Sequence, residues 1–499
     1  MPTVIPIQET LRPTLPVVHG CRDYTDEKRL LERIDRILTV SGVEQLFLRL
    51  SLERFEAKVA GTKAEDNLHA TKRHIHNSRQ ALRCTILKHL TNQSYRPLSA
   101  ALARTPLYRW FCGCPDFEVV RVPGKSTLQN YAQWLPEEEM QKVLGALHAA
   151  LANEDKAQEI GMEAELDQTI ACVDTTCLKA NVHFPIDWVL LRDAVGTLVR
   201  AILVIRSHGL KKRMPSPEDF LRDINSLSMS MSAAGRRKSG SNKERKKVLR
   251  KIKALTQVVE AHAQRYRKAL DEEWHTTDLS RKSAEVILRR IDAILGQLPE
   301  ARRQAHERII AGRLVPNAKK ILSLYEPDIH VVVRGKAGAE VEFGNSLFIA
   351  ETADGFIIDH QLKQEQSRGD ARVLSERLPM ISTKCGGELY GIIGDRGFSS
   401  EAIDRQLKEA DLFNGICPKD PRKLVERMKD EIFSGALRRR AQTEGRVGIL
   451  KNVFLGGIPL AKGFERRQLQ VSWAVLAHNV WVAARLPWKE GRRKEAKAA

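Results

Sequence analysis

Three carboxylates stand where the sequence predicts the borders of secondary-structure elements. Asp174 follows the apolar run "TIACV", Asp395 follows "YGIIG", and Glu444 lies inside the cationic segment "RRRAQTEGRVGILKN". Hard oxygen donors without cysteine or histidine are the ligand set that Mg²⁺ or Mn²⁺ prefers. Two such ions about 3.5–4 Å apart can activate a nucleophile and stabilise the leaving oxygen in phosphodiester cleavage. These residues therefore predict a catalytic site holding two Mg²⁺ or Mn²⁺ ions.

Each carboxylate also has a purely structural interpretation. Asp174 before two threonines is typical of a cap or turn, and Asp395-Arg-Gly is typical of a turn. On a helix, which turns by about 100° per residue, Arg440, Glu444 and Lys451 share one face. A surface pair between Arg440 and Glu444 would stabilise the helix by a few tenths of a kcal/mol only. The order of the three carboxylates and their positions at predicted strand ends favour the shared site.

The composition favours a polyanionic partner. The chain has 499 residues, with 82 Lys+Arg against 62 Asp+Glu and a formal net charge of +20. This excess is spread along the chain, and it indicates nucleic acid rather than a membrane surface. No uninterrupted apolar run of about 18 residues occurs, so we expect no membrane span. The eight cysteines form no CxxC pair, which favours a cytoplasmic protein with reduced thiols.

The strand signals fall into two separated blocks. "TIACVDTTCLKA" predicts a strand that ends near Asp174, and "NSLFIAETADGFIIDHQL" predicts a hairpin with its turn at Asp354-Gly355. "ELYGIIG" and "LFNGIC" predict two further short strands. Strands that alternate with helices after a hairpin indicate an α/β sheet, whose active residues lie beyond the carboxyl ends of strands. Asp174 and Asp395 are thus expected at one edge of the sheet, with the Glu444 helix packed across it.

The region from about residue 24 to 155 has the apolar spacing of helices. Pro97 and Pro106 are expected to break this helical pattern. Short helices with cations such as Arg96 on their connections are typical of a helix-turn-helix DNA reader. A generic helical bundle accounts for the same pattern equally well.

A dense run of cations marks the middle of the chain. Between Arg236 and Lys253 the sequence has ten cations and one acid, flanked by long polar helices. The alternatives are a solvated face and a contact to a phosphate backbone, and this density favours the phosphate contact. The residues predicted to make it are Lys246, Lys247, Arg250 and Lys251.

Four stretches carry a resemblance to a known family. They are "VDTTCLKANVHFPIDWVLLRDAV", "SLYEPDIHVVVRGKAGAEVEFGNSLFIAETADGFIIDH", "IIGDRGF" and "RRRAQTEGRVGILKN". Together they resemble bacterial insertion-sequence transposases with a DDE active site, of the ISNCY-like kind, over roughly residues 95 to 486. The signature Tyr-x2-Arg-x3-Glu-x6-Lys of related enzymes matches at Arg440, Glu444 and Lys451, whereas Leu437 stands at its tyrosine position.

The resemblance implies an α/β fold with a ribonuclease-H-like catalytic core, which is interrupted by a helical basic insertion and preceded by an all-α DNA-binding region. It makes Asp174, Asp395 and Glu444 the catalytic and metal-binding triad, with Arg440 and Lys451 on the DNA phosphates. The expected domains are 1–155 (DNA-binding), 156–208 and 325–486 (catalytic core), 209–324 (insertion) and 487–499 (basic tail).

The implied function is transposition: element-end DNA is cut and its 3′-OH ends are joined to target DNA. The expected partners are terminal inverted repeats and target DNA in double-stranded form, with a homodimer assembled on DNA near the bacterial nucleoid. Two alternatives remain open. One is an inactive DNA-binding regulator derived from a transposase, and the other is a metal-dependent DNA nuclease.

Overall fold

The computed structural model describes residue 15 and residues 17–59, 68–114, 119–236, 240–336 and 339–489. These parts form a mixed α/β structure dominated by helices, which confirms the predicted fold class at this level. The α-helices, in chain order, are α1 (Arg22–Val40), α2 (Val43–Val59), α3 (Leu68–Thr91), α4 (Tyr95–Arg104), α5 (Pro106–Cys112), α6 (Lys125–Tyr131), α7 (Glu137–Leu151), α8 (Glu154–Ile160), α9 (Asp187–Ser207), α10 (Pro217–Gly235), α11 (Ser241–Glu273), α12 (Arg281–Ala305), α13 (Asp370–Lys384), α14 (Glu401–Glu409), α15 (Pro421–Arg427), α16 (Glu431–Ile449) and α17 (Phe464–Arg485).

The strands are arranged in one mixed, open sheet. They are β1 (Ile170–Lys179), β2 (His330–Lys336), β3 (Ala339–Thr352), β4 (Ile357–Leu362), β5 (Gly391–Gly394) and β6 (Phe413–Ile416). Their order is β2-β3-β1-β5-β6, with β4 also paired to β3. β5 runs parallel to β1 and to β6, while β3 runs antiparallel to β2 and β4. The predicted hairpin and the two short strands are therefore confirmed.

One strand boundary differs from the sequence prediction. β1 does not end near Asp174: it runs to Lys179, and Asp174 lies in its middle. The residues after Asp174 explain the difference, because Thr175, Thr176 and Cys177 favour extended backbone and Thr176 and Cys177 are buried. A carboxylate in mid-strand is stable here because its side chain is only partly buried.

The N-terminal prolines also act differently from the expectation. Pro106 begins α5, but Pro97 lies within the first turn of α4 and does not break it. In the first turn the N–H that proline lacks would have no helical partner anyway. The first helical pattern is instead interrupted at Ser41-Gly42, where Gly42 adopts a positive φ of 78°.

The chain divides into two compact units. One unit contains residues 1–178, 346–363 and 367–499, and its core includes α1–α8, most of the sheet and α17. The other contains residues 179–345 and 364–366, and its core is formed by α9–α12. The predicted basic insertion at 209–324 lies within the second unit, which also takes in α9. None of the helices in the described ranges combines the length and apolar character needed to cross a membrane.

Candidate active site

Asp174 on β1 lies level with Asp395, the residue that directly follows the neighbouring parallel strand β5. β1 pairs with β5 through Ala171 and Ile392, then through Cys172 and Ile393. Continued for two residues, this register places Asp174 beside Asp395, whose backbone is still extended. Neighbouring strands lie about 4.8 Å apart, so this extension of the register brings the backbones of the two aspartates close together. The expectation that Asp395 directly follows a strand is confirmed.

A third aspartate approaches this pair from the start of α13. The hydroxyl of Thr175 donates a hydrogen bond to Oδ1 of Asp370 at 2.7 Å, and the Thr175 amide donates to Oδ1 of Asp174 at 2.7 Å. A Cβ on Gly397 would lie 2.6 Å from Oδ2 of Asp370 and 2.9 Å from Oδ1 of Asp395. The two carboxylate oxygens are therefore at most about 5.5 Å apart, and a side chain at position 397 would require them to move. Asp370 is not among the site residues that the sequence predicts.

A buried glutamate lies next to the same strand. Glu351 on β3 is 1% exposed, and its Oε1 accepts no hydrogen bond within the described parts of the chain. Nη1 of Arg446 on α16 lies 3.7 Å from that oxygen. Burial raises the pKa of Glu351 to about 7 against the opposing effect of Arg446, and the charge of Asp174 raises it further. A lone acid inside the apolar run "SLFIAET" was the signal in the sequence that this position is unusual.

The raised pKa of Glu351 predicts a measurable pH dependence of stability. The folded chain holds this proton up to about pH 7, whereas the unfolded chain releases it near pH 4.5. The free energy of unfolding should therefore fall as the pH rises from about 4.5 to about 7. Glu351→Gln should remove this loss. At pH 8 its free energy of unfolding should exceed that of wild type by about 1–3 kcal/mol, so it should unfold at a higher urea concentration. Urea titrations at pH 5 and pH 8 without divalent ions measure this difference in the free energy of unfolding. The control is Glu409→Gln, because Glu409 is exposed. A Glu351→Gln protein with the pH dependence of wild type would contradict the prediction.

Glu444 lies on α16 but faces solvent. Its side chain is 57% exposed, and its Oε1 accepts a hydrogen bond from Nη2 of Arg440 at 3.1 Å. The neighbouring Thr443 is instead buried against the sheet side of the helix. α16 itself packs against β5 and β6, as the sequence prediction required. The arrangement observed is thus the Arg440–Glu444 ion pair that the helical spacing allows.

Two further cations of this region contact the sheet. Nζ of Lys451 donates to the hydroxyl of Thr176, on the same face of β1 as Asp174, at 3.0 Å. Nη1 of Arg446 donates to the carbonyl of Ala353 at 2.8 Å in the β3–β4 turn. Gly355 allows this close approach, because a Cβ there would lie 2.8 Å from the Arg446 side chain. Lys451 therefore lies beside the strand that carries Asp174, whereas Arg446 contacts the β3–β4 turn.

The other predicted DNA-binding residues lie on helices. Arg96 is exposed in the first turn of α4. Lys247, Arg250 and Lys251 are exposed on the first half of α11, and Lys246 is partly buried there. Among the described carboxylates, none forms an ion pair with the four cations of α11 that were predicted to contact phosphate.

Within the described ranges, no three histidine, cysteine, aspartate or glutamate side chains are grouped so that they could hold a metal ion. Asp174 and Asp395 fit a divalent cation by their donor chemistry and their register, whereas Glu444 is not gathered with them. No protein-family model, curated protein or solved structure matches this chain.

Proposed function

We propose that this chain is a DNA transposase of the DDE kind, which cuts phosphodiester bonds at element ends and joins the 3′-OH ends to target DNA. The observation that supports the proposal is the parallel register of β1 and β5, which, continued for two residues, brings Asp174 level with Asp395. A strand order with β1 between β3 and the parallel β5 is what a ribonuclease-H-like core would require. The net charge of +20 supports a nucleic-acid partner.

The residues of the chain suggest how such a site would work. Asp174 and Asp395 offer carboxylate oxygens to Mg²⁺, which when bound would activate a water or 3′-OH and stabilise the leaving oxygen. Lys451, whose Nζ donates to Thr176 on the same face of β1 as Asp174, would bind a DNA phosphate next to the reacting bond. Arg440 lies on α16 and carries a guanidinium that can donate two hydrogen bonds. It would bind the DNA backbone at a phosphate farther from the reacting bond. Phosphate contacts of this kind position the DNA, and the carboxylates act on the bond.

A second candidate function is a DNA-binding regulator without catalytic activity. The pairing of Glu444 with Arg440 favours it, because a carboxylate neutralised on the surface gives no third ligand to the site. The deciding experiment incubates the purified chain and Mg²⁺ with labelled donor DNA that carries both element ends. Cleavage with strand transfer supports the transposase, cleavage alone supports a nuclease, and binding without cleavage supports the regulator.

The cations of α11 give a prediction about binding alone. Replacing Lys246, Lys247, Arg250 and Lys251 with alanine should weaken binding to every DNA sequence, because contacts to phosphate carry no sequence information. The slope of log affinity against log salt should become less steep by about 3–4, one step for each lost phosphate contact. Fluorescence anisotropy from low to moderate salt measures this slope.

The control for this variant removes the same charge from cations that already pair with carboxylates. These are the exposed residues Arg222, Lys268, Arg281 and Arg303, each three or four residues from its partner on the same helix. The control variant should keep a slope close to that of wild type. Equal slopes for both variants would assign the α11 cations to a solvated face.

A further inference from the structure

We infer that one exposed face of α6 reads base edges in the major groove of double-stranded DNA. This polar face of α6 consists of Ser126, Gln129, Asn130 and, in the turn that follows the helix, Gln133. The inference rests on the proposed function, because it names the part of the chain that would recognise the sequence of the element ends. The cations of α11 cannot do so, since contacts to phosphate carry no sequence information.

Two buried side chains fix the orientation of α6. Leu128 and Tyr131 are each 2% exposed, and the Tyr131 hydroxyl donates a hydrogen bond to Oε1 of Gln80 on α3 at 3.0 Å. At about 100° per residue, the three helical residues of the polar face lie on the opposite side of α6, within an arc of about 100°. All four side chains of this face are exposed. The packing of α6 against α3 therefore turns the polar face toward solvent.

The chemistry of this face matches that of base edges. Within the described parts of the chain, its four side chains form no hydrogen bond. A carboxamide offers an acceptor beside two donors, and this pattern pairs with N6 and N7 of adenine in the major groove. A helix about 10–12 Å across fits this groove, which is about 12 Å wide. Gln129 and Asn130 are thus the residues expected to read adenine.

The charge around the polar face differs from that of an ordinary solvated helix surface. Other exposed helix faces of the chain carry ion pairs between residues four positions apart, such as Arg281 with Glu285 on α12. The helices α4, α5 and α6 contain no acidic residue. None of the three therefore offers a carboxylate that would repel DNA phosphates.

α4 packs against α6 and adds a cation to this surface. The hydroxyl of Ser99 donates a hydrogen bond at 3.0 Å to the carbonyl of Pro123, two residues before α6 begins at Lys125. Arg96 lies three residues before Ser99, on the same face of α4, and both Arg96 and Lys125 are exposed. These two cations would bind phosphates beside the bases and so fix the register of α6 on the duplex.

The test uses the full chain without divalent ions and a random pool of double-stranded DNA. Wild type should select a motif and bind it at least about 10³-fold more tightly than a scrambled duplex. The double variant Gln129→Ala/Asn130→Ala should reduce this ratio at least about 10-fold, while its affinity for the scrambled duplex stays within a factor of about two.

The matched control replaces two exposed amides of other helices, Asn225→Ala on α10 and Gln264→Ala on α11. This control variant should keep the ratio of wild type. Thermal midpoints of both double variants should equal that of wild type, because all four substituted residues are exposed. An unchanged ratio in the α6 variant would overturn the inference and return the polar face to solvent. Failure of wild type to select any motif would overturn it as well.

Modified bases test whether the contact is made in the major groove. Each adenine of the selected motif is replaced in turn by 7-deazaadenine, which lacks the N7 acceptor but still pairs with thymine. At the positions read by α6, wild type should lose affinity about 3- to 10-fold. The double variant should lose none there, because the contact is already absent. Equal behaviour of wild type and the double variant at every adenine would overturn the inference, as would equal affinity for the motif in single-stranded form.

The cleavage assay with Mg²⁺ distinguishes failure of this inference from failure of the proposed function. If wild type cuts and joins element-end DNA while the α6 variant keeps its specificity ratio, α6 does not read the sequence and the transposase proposal stands. If wild type selects its motif through α6 but cleaves no DNA under any condition, the inference stands and the proposed function fails.

Discussion

Asp174→Asn and Asp395→Asn are each expected to reduce DNA cleavage and strand transfer by at least about 10³-fold. On the proposed function, each change removes one anionic metal ligand at nearly constant volume, and the developing charge at the reacting phosphate would lose its stabilising cation. The strands should persist, because neither carboxylate supports the core: both are only partly buried. DNA affinity should stay within a factor of about two, since the phosphate contacts that we propose involve other residues.

Asp354→Asn is the matched control for these two variants. Asp354 is an exposed aspartate in the turn between β3 and β4, and asparagine serves a turn equally well. It should leave cleavage and binding unchanged. Single-turnover cleavage of labelled end DNA measures all three variants. Near-normal cleavage by Asp174→Asn or Asp395→Asn would remove that residue from the site.

Arg83→Met is expected to destabilise the first compact unit by about 3–5 kcal/mol. Arg83 on α3 is fully buried, and it donates from Nε to Glu44 on α2, and from Nη1 to Asp35 on α1 and to the carbonyl of Phe111 on α5. Methionine fills the volume, but it leaves the 5%-exposed Glu44 with less of its compensating charge. This arginine holds four helices together and is not available to DNA.

Arg79→Met is the matched control, because Arg79 donates to the other oxygen of Glu44 from a position 13% exposed. It should cost clearly less than Arg83→Met, since partial exposure lets water replace the lost donor. Urea unfolding followed by tryptophan fluorescence measures both, because five of the seven tryptophans belong to this unit. Equal midpoints for the two variants would show that the buried network does not stabilise the helices as argued.

The parts of the fold that were predictable have local signals. The hairpin around Gly355 and the short strands before Asp395 and Cys417 were recognisable, because alternation and turn residues act over a few positions. The end of β1 was not predictable, because Asp174 interrupts the apolar run in the sequence but the strand continues through it. A polar residue in a strand gives the same pattern as a strand end.

The candidate site was predictable only in part, for the same reason. Asp395 comes directly after a strand, and the parallel pairing of β1 and β5 explains why it lies near Asp174. Asp370 gives no comparable signal, because a helix start with aspartate is common and its approach to Thr175 depends on how α13 packs. The Glu444 side chain could pair with Arg440 or point toward the sheet, and helical spacing alone does not decide between the two. In the structure it pairs with Arg440.

The position of α17 sets the order in which this chain can fold during synthesis. Its apolar residues are buried among α1, α3 and α7, helices that leave the ribosome more than 300 residues earlier. Translation proceeds at about 5–20 residues per second, so the core around those helices stays incomplete for at least about 15–60 s. A chain interrupted before α17 would keep that apolar surface open to chaperones and proteases. The folded first unit would thus form only after β1, β5 and α16 have all been translated.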